Sequence, residues 1–163
     1  MRSKVALGMI VAAMALHART ASADATAFIG ANTSPANRQV RGFAFGLSLF
    51  VVVGFEFEYA DTTDDPDPLV RAPSLKVGSG NLFLQTPSPI FGFQPYFTTG
   101  GGIYSETLGA RNDKGFAPNT GGGVNISLLG PLRVRVDYRV FKLGSGAVVS
   151  PAHRIYAGIN LKF

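Results

Sequence analysis

Three groups of residues in this sequence could carry chemistry, and each is decided by what stands beside it. Nucleophilic catalysis needs a base within reach of a hydroxyl or thiol. Beyond residue 23 the only histidine is His153, and there is no cysteine. Ile155 stands two residues after His153, on the same face of an extended strand, so no hydroxyl accompanies the imidazole there. A second group, Asp61, Asp64, Asp65 and Asp67, crowds four carboxylates into seven residues. Oxygen-rich clusters bind hard cations, but Pro66, Pro68 and the lack of a twelve-residue calcium-loop spacing make a solvated loop the expectation. The third group is Glu56 and Glu58 on one segment with Arg133, Arg135, Asp137 and Arg139 on another. A spacing of two puts each set on one face of a strand. Both signs of charge are supplied, so the sets can pair. The expectation is that Glu56 and Glu58 form salt bridges with Arg133, Arg135 or Arg139.

Eight segments of strand character have to position these residues, at about 25–33, 39–48, 50–60, 75–86, 92–107, 118–128, 132–142 and 152–163. Period-2 alternation is clearest in five of them. Phe43, Phe45 and Leu47 face away from Gly42, Ala44, Gly46 and Ser48, and Val53, Phe55, Phe57 and Tyr59 oppose Glu56 and Glu58. Val124, Ile126 and Leu128 oppose Gly123, Asn125 and Ser127, and Val134, Val136, Tyr138 and Val140 oppose the charged set. In the last segment Ile155, Ala157, Ile159, Leu161 and Phe163 oppose Arg154, Tyr156, Gly158, Asn160 and Lys162. In 25–33 and 75–86 the parity is open, and a bulge there would explain it. The glycine triplets at 100–102 and 121–123 precede no helix, so they read as close strand packing or room for rings rather than phosphate loops.

The connections fall into two kinds. Ser48-Leu49, the segment around Thr86 to Pro89, and Leu129 to Pro131 are tight. Asp61 to Ser74, Thr107 to Ala117 and Leu143 to Pro151 are long, and Thr33 to Arg38 is intermediate. Every longer connection follows an odd-numbered strand, which puts the long loops at one end.

The N-terminus sets the compartment. Arg2 and Lys4 precede an apolar stretch from Val5 to Leu16, and Ala21-Ser22-Ala23 forms an A-x-A site, so residues 1–23 read as a cleavable secretory signal peptide and residues 24–163 as one domain. The apolar stretch is too short for a spanning helix. Cleavage removes Arg2, Lys4 and Arg19 and leaves twelve basic against ten acidic residues. Most of the basic excess is thereby discarded, and no basic run longer than a pair survives, so nucleic-acid binding is not expected. No metal or other cofactor is expected either.

Which face is inside decides the class of molecule. A soluble barrel turns Phe43, Phe45, Phe55, Phe57, Val134, Val136, Ile159 and Leu161 inward. A membrane barrel of eight strands, whose interior side chains just fill, turns Glu56, Glu58, Arg133, Arg135, Asp137 and Arg139 inward instead. The export signal, the loop asymmetry and the apolar strand ending in Phe163 favour the second arrangement. The chain then resembles the eight-stranded outer-membrane β-barrel domains of Gram-negative bacteria, the OmpA-like and opacity-type porin family. The residues that carry the resemblance are Gly54-Phe55-Glu56-Phe57-Glu58-Tyr59, Pro95-Tyr96-Phe97-Thr98-Thr99-Gly100-Gly101-Gly102, Gly121-Gly122-Gly123, Arg133-Val134-Arg135-Val136-Asp137-Tyr138-Arg139 and Tyr156-Ala157-Gly158 through Phe163.

The resemblance implies an all-β, antiparallel up-and-down transmembrane barrel in the cell outer membrane, with short periplasmic turns and longer extracellular loops. It implies that Ile155, Ile159, Leu161 and Phe163 are read by the barrel-assembly machinery, and that outer-membrane lipid and lipopolysaccharide are partners. It names no extracellular partner and no reaction. Outer-membrane lipid A deacylases are similar in placing a histidine on a strand, but they carry His-x-Ser where this chain has His153 and Ile155. The expectation is a non-enzymatic structural or surface-interaction protein with a largely plugged polar lumen. A small pore for limited solute passage and a secreted lipocalin-like barrel are the competing expectations.

Overall fold

Alternating side chains drive the backbone into strands, and the strands close on themselves. The computed structural model describes residues 22–49, 51–64, 69 and 72–163. Among these there are eight strands and no helix: β1 (Ser22–Asn32), β2 (Arg38–Ser48), β3 (Val53–Thr62), β4 (Ser74–Gln85), β5 (Phe93–Leu108), β6 (Arg111–Leu129), β7 (Leu132–Phe141) and β8 (Ala152–Lys162). Each pairs antiparallel with its sequence neighbours, and β1 pairs with β8 from Asp24↔Lys162 to Asn32↔Arg154, which closes the barrel. Closure satisfies the edge hydrogen bonds that an open sheet would leave bare.

The apolar parity points outward. Phe43, Phe45, Leu47, Phe55, Phe57 and Tyr59 are exposed on the outer surface, as are Val136, Tyr138, Ile155, Ile159, Leu161 and Phe163; Phe57 is 64% exposed. Their neighbours in sequence, Ala44, Glu56, Glu58, Arg135, Asp137, Arg139, Arg154, Tyr156 and Asn160, are buried inside. The two strands of open parity are now resolved. Phe28 is inside and Ile29 outside on β1, while Phe83 is inside between the exposed Leu82 and Leu84 on β4. Neither strand carries a bulge in its ladders; the one register shift lies between Ser127 and Leu129 on β6. The shift falls after Ser127, which still pairs with the inward Arg133 and is exposed at the turn-end rim of the barrel.

The connection expected as a long loop over 107–117 is instead the tip of a long hairpin. β5 and β6 run 16 and 19 residues, and the ladder continues to Leu108↔Arg111, leaving a two-residue turn at Gly109 and Ala110. Gly109 has φ 59°, the left-handed conformation that a two-residue hairpin needs at its first turn position. Paired polar residues such as Ser105↔Lys114 and Thr107↔Asn112 extend the strands where composition alone suggests a loop. The connections that follow β1, β3 and β7 leave their strands at this same loop end, and those that follow β2, β4 and β6 leave at the turn end. In the acidic stretch, Asp65 and Asp67 lie outside the described residues, as do residues 1–21 of the expected signal peptide.

Candidate functional site

The interior is layered along the barrel axis. At the turn end the side chains are polar: Arg133 Nε donates to Asn160 Oδ1 at 2.7 Å, and Arg133 Nη2 lies 3.5 Å from Asp24 Oδ2. Asn160 Nδ2 in turn donates to Asp24 Oδ1 and Thr26 Oγ1, both at 2.8 Å.

The middle layer is a network of buried ions. β3 and β7 stand four strands apart in a ring of eight, so a contact between them crosses the barrel diameter. Glu56 on β3 makes two such contacts, an ion pair with Arg135 and a 2.6 Å hydrogen bond from Arg139 Nη2. Arg139 Nη1 lies 3.1 Å from Glu58 Oε2, and its Nε donates to Asp137 Oδ1 at 3.0 Å. Arg135 Nη2 donates to Asp137 Oδ2 at 3.2 Å. Tyr96 Oη also donates to Asp137 and accepts from Arg135 Nε at 2.7 Å. Arg154 pairs with Glu58. Three carboxylates thus face three guanidiniums, and the layer is neutral overall. Buried charges persist only when paired and hydrogen-bonded in this way.

Small residues opposite the large ones make the crossing possible. Gly123 pairs with Asp137, and a Cβ there would stand 2.5 Å from Tyr96 Oη; one on Gly121 would stand 2.7 Å from Arg139 Cγ. The second glycine triplet is therefore room for the network. Rings then line the guanidiniums: Arg135 Cζ lies 4.7 Å from the Tyr96 ring centre, and Arg154 Cζ 4.6 Å from that of Phe141.

At the loop end the interior turns apolar. Leu75, Val77, Tyr104, Ala117, Phe141, Leu143 and Ala152 form a buried cluster against which Ala147 packs. Hydrogen bonds tie the 142–151 segment over it. Gly144 N donates to Tyr104 Oη at 3.1 Å, Val148 N to Glu106 Oε2 at 2.6 Å, and Arg111 Nη2 to Gly146 O at 2.5 Å. Part of a segment expected to reach outward is thus folded into the mouth.

Of the six charges singled out in the sequence, Glu56, Glu58, Arg135, Asp137 and Arg139 meet in one network, while Arg133 pairs with Asp24 nearer the turn end. Arg154, Asp24, Tyr96 and Tyr156 were absent from that set. Arg154 and Tyr156 had the right parity in the last strand, and that parity was the available signal. The residues expected to guide assembly, Ile155, Ile159, Leu161 and Phe163, all lie on the outer face. His153 is half-buried at the loop end of β8, its Nδ1 hydrogen-bonded to Tyr138 Oη at 2.6 Å. Among the described residues no group of His, Cys, Asp and Glu could hold a metal ion.

The closed eight-stranded antiparallel barrel is matched among solved structures. The N-terminal β-barrel domain of Pseudomonas aeruginosa OprF superposes with a TM-score of 0.65 at 15% identity, covering 87% of this chain and 97% of that one. Neisserial surface protein A gives 0.65 at 16% identity, covering 88% and 96%. The chain has the fold of the eight-stranded outer-membrane β-barrels. That fold also carries catalysis elsewhere, since the outer membrane enzyme PagL superposes with a TM-score of 0.53 at 10% identity over 85% of this chain and 98% of that one. Activity therefore has to be argued from side chains and not from the outer-membrane barrel fold. No family model matches the chain, and no curated protein matches it.

Proposed function

We propose that this chain is a non-enzymatic integral protein of the outer membrane, exported by a signal peptide cleaved after Ala23 and serving a structural or surface-interaction role with a closed lumen. The observation that carries the reading is the inversion of faces, with a neutral ion network across the interior and an apolar belt outside. A water-soluble barrel would pay for that inversion twice, once for the buried ions and once for the exposed rings. A lipocalin-like carrier would need an apolar cavity, whereas the space between Asp24, Glu56, Tyr96 and Arg135 is about 10 Å³, room for about one water. The same crowding supports a plugged lumen over a small pore. The partners in this reading are outer-membrane lipid and lipopolysaccharide, and the barrel-assembly machinery during biogenesis.

Two measurements test it together. Fractionation of cells expressing the full chain should place it in the outer membrane, with heat-modifiable gel mobility. Planar bilayers holding the purified barrel should show conductance near zero. Recovery in the soluble periplasm would end the membrane reading, and steady water-filled conductance would promote the pore.

A further inference from the structure

The outer surface is not uniform around the barrel. At the loop end of β2 to β6 the outward ladder row runs Arg41↔Asp61↔Lys76↔Ser105↔Lys114. Arg41, Lys76 and Lys114 are exposed, and among the described residues none of them makes an ion pair. Three cations against the single carboxylate of Asp61 leave this row net positive.

Next to the row, toward the turn end, lies an apolar groove. Its wall is Phe43, Phe45, Phe57 and Tyr59, with the Phe43 ring 5.8 Å from Phe45 and 5.7 Å from Tyr59. Its floor is β4, where the two outward residues after Lys76 are glycines. A Cβ on Gly78 would meet nothing within 4 Å, and one on Gly80 only Phe57 Cε1 at 3.8 Å. The groove holds about 370 Å³, within the range of roughly 300–1,000 Å³ of specific small-molecule sites.

We propose that the groove and the cations beside it bind one phosphorylated acyl lipid of net negative charge from the loop-side leaflet. An acyl chain lies along the aromatic wall over Gly78 and Gly80, and the phosphate sits between the ends of the long Arg41 and Lys76 side chains, farther from the barrel wall than Asp61, whose shorter side chain stands between them in the row. These two cations are two strands apart, about 10 Å at the backbone, so their long side chains close on one anion from either side. Lys114 extends the positive field on the β6 side. This inference rests on the membrane reading above.

The β7, β8 and β1 side of the barrel supplies a control. A second outer groove of about 410 Å³, lined by Ala27, Ile29, Val134, Ala157 and Ile159, has similar size and polarity. On β8 its outward residues toward the loop end are Ile155 and His153, with no Lys or Arg among them, and Arg41 reaches only its β1 edge, where it pairs with Ile29. Acyl chains pack over β8 without a charged anchor.

The sequence contains no tryptophan, so a single reporter reads one face. Phe57→Trp and Ile159→Trp barrels are inserted into phosphatidylcholine vesicles containing dibrominated phosphatidylglycerol or dibrominated phosphatidylcholine, and quenching gives relative lipid binding at each face. The Phe57→Trp reporter should prefer the anionic lipid by roughly fivefold or more, the scale of one to two cations near a membrane surface. The Ile159→Trp reporter should show a ratio near one. Adding Arg41→Gln and Lys76→Gln should bring the Phe57→Trp ratio close to one while heat-modifiable mobility is kept. Equal ratios at both faces, or a preference that survives Arg41→Gln with Lys76→Gln, overturns the site. No quenching by either lipid at either reporter overturns the membrane reading and takes the site with it.

Discussion

Glu56 and Arg139 are 83 residues apart in sequence and four strands apart around the barrel, yet Glu56 Oε1 accepts a 2.6 Å hydrogen bond from Arg139 Nη2 across the interior. Neither side chain reaches solvent to any useful extent, with 2% of Glu56 and none of Arg139 exposed. The pair therefore acts as a strut between opposite walls, and its loss leaves charge stranded in a dry layer.

Removing both members should cost less than the sum of removing each alone. Glu56→Gln leaves Arg135 and Arg139 short of a carboxylate, and breaking a buried pair typically destabilises by about 3–5 kcal/mol. Arg139→Met should cost a similar amount, because Glu56, Glu58 and Asp137 all lose a partner. The double variant should fall clearly short of the sum, since the two losses share one network. Urea unfolding of barrels inserted in vesicles measures all three, and additive losses below about 1 kcal/mol each would show that the network bears no load.

Much of this was legible in the sequence because a barrel strand obeys one rule, alternation. Glu56-Phe57-Glu58 and Arg133 through Arg139 each put charges on one face, and the expected export signal together with the apolar parity of the last strand favoured turning that face inward. Two things were hidden, for physical reasons. Phe28 is an aromatic ring inside, stacked on Tyr156 with ring centres 4.0 Å apart, and alternation by hydrophobicity cannot mark an apolar residue among inward ones. Residues 107–117 carry loop composition, yet once Gly109 and Ala110 turn the chain, every residue between pairs across the hairpin. Ladder hydrogen bonds outweigh propensity there.

The apolar cluster at the loop end should behave as a tied cap. Glu106 accepts a 2.6 Å hydrogen bond from Val148 N, and Leu143 is buried beneath. Glu106→Ala should free the 142–151 segment while leaving the ladder intact. A charged hydrogen bond is worth about 1.5–3 kcal/mol, so cleavage of the segment by a nonspecific protease should accelerate about tenfold or more. An unchanged cleavage rate would mean that Tyr104 and Arg111 hold the segment without Glu106.

Room opposite the charges should be as necessary as the charges. A side chain on Gly123 meets Val136 O at 2.1 Å and Tyr96 Oη at 2.5 Å, the hydroxyl that donates to Asp137. Gly123→Val should therefore reduce the folded yield on refolding into vesicles, with overpacking worth about 1–3 kcal/mol or more. Combining it with Tyr96→Phe removes the hydroxyl in its way and should recover part of that yield. No recovery would assign the defect to the contacts that remain, Val136 O and the Tyr96 ring carbon Cζ at 2.7 Å.

The last residue should matter more to assembly than to stability. Phe163 is 68% exposed, and its backbone adds only the final pair of hydrogen bonds to the seam, to Ala23 at 2.8 and 2.9 Å. Cleavage after Ala23 would remove that partner, leaving β1 to start at Asp24 and pair with Lys162. Deleting Phe163 should thus change the urea unfolding free energy of the vesicle-inserted barrel by no more than about 1 kcal/mol. In cells the same deletion should lower the outer-membrane level several-fold, because the segment through Ile155, Ile159, Leu161 and Phe163 presents its outward row to whatever inserts the barrel. Equal losses in the two assays would make Phe163 a packing residue, and no loss in cells would remove it from the assembly signal.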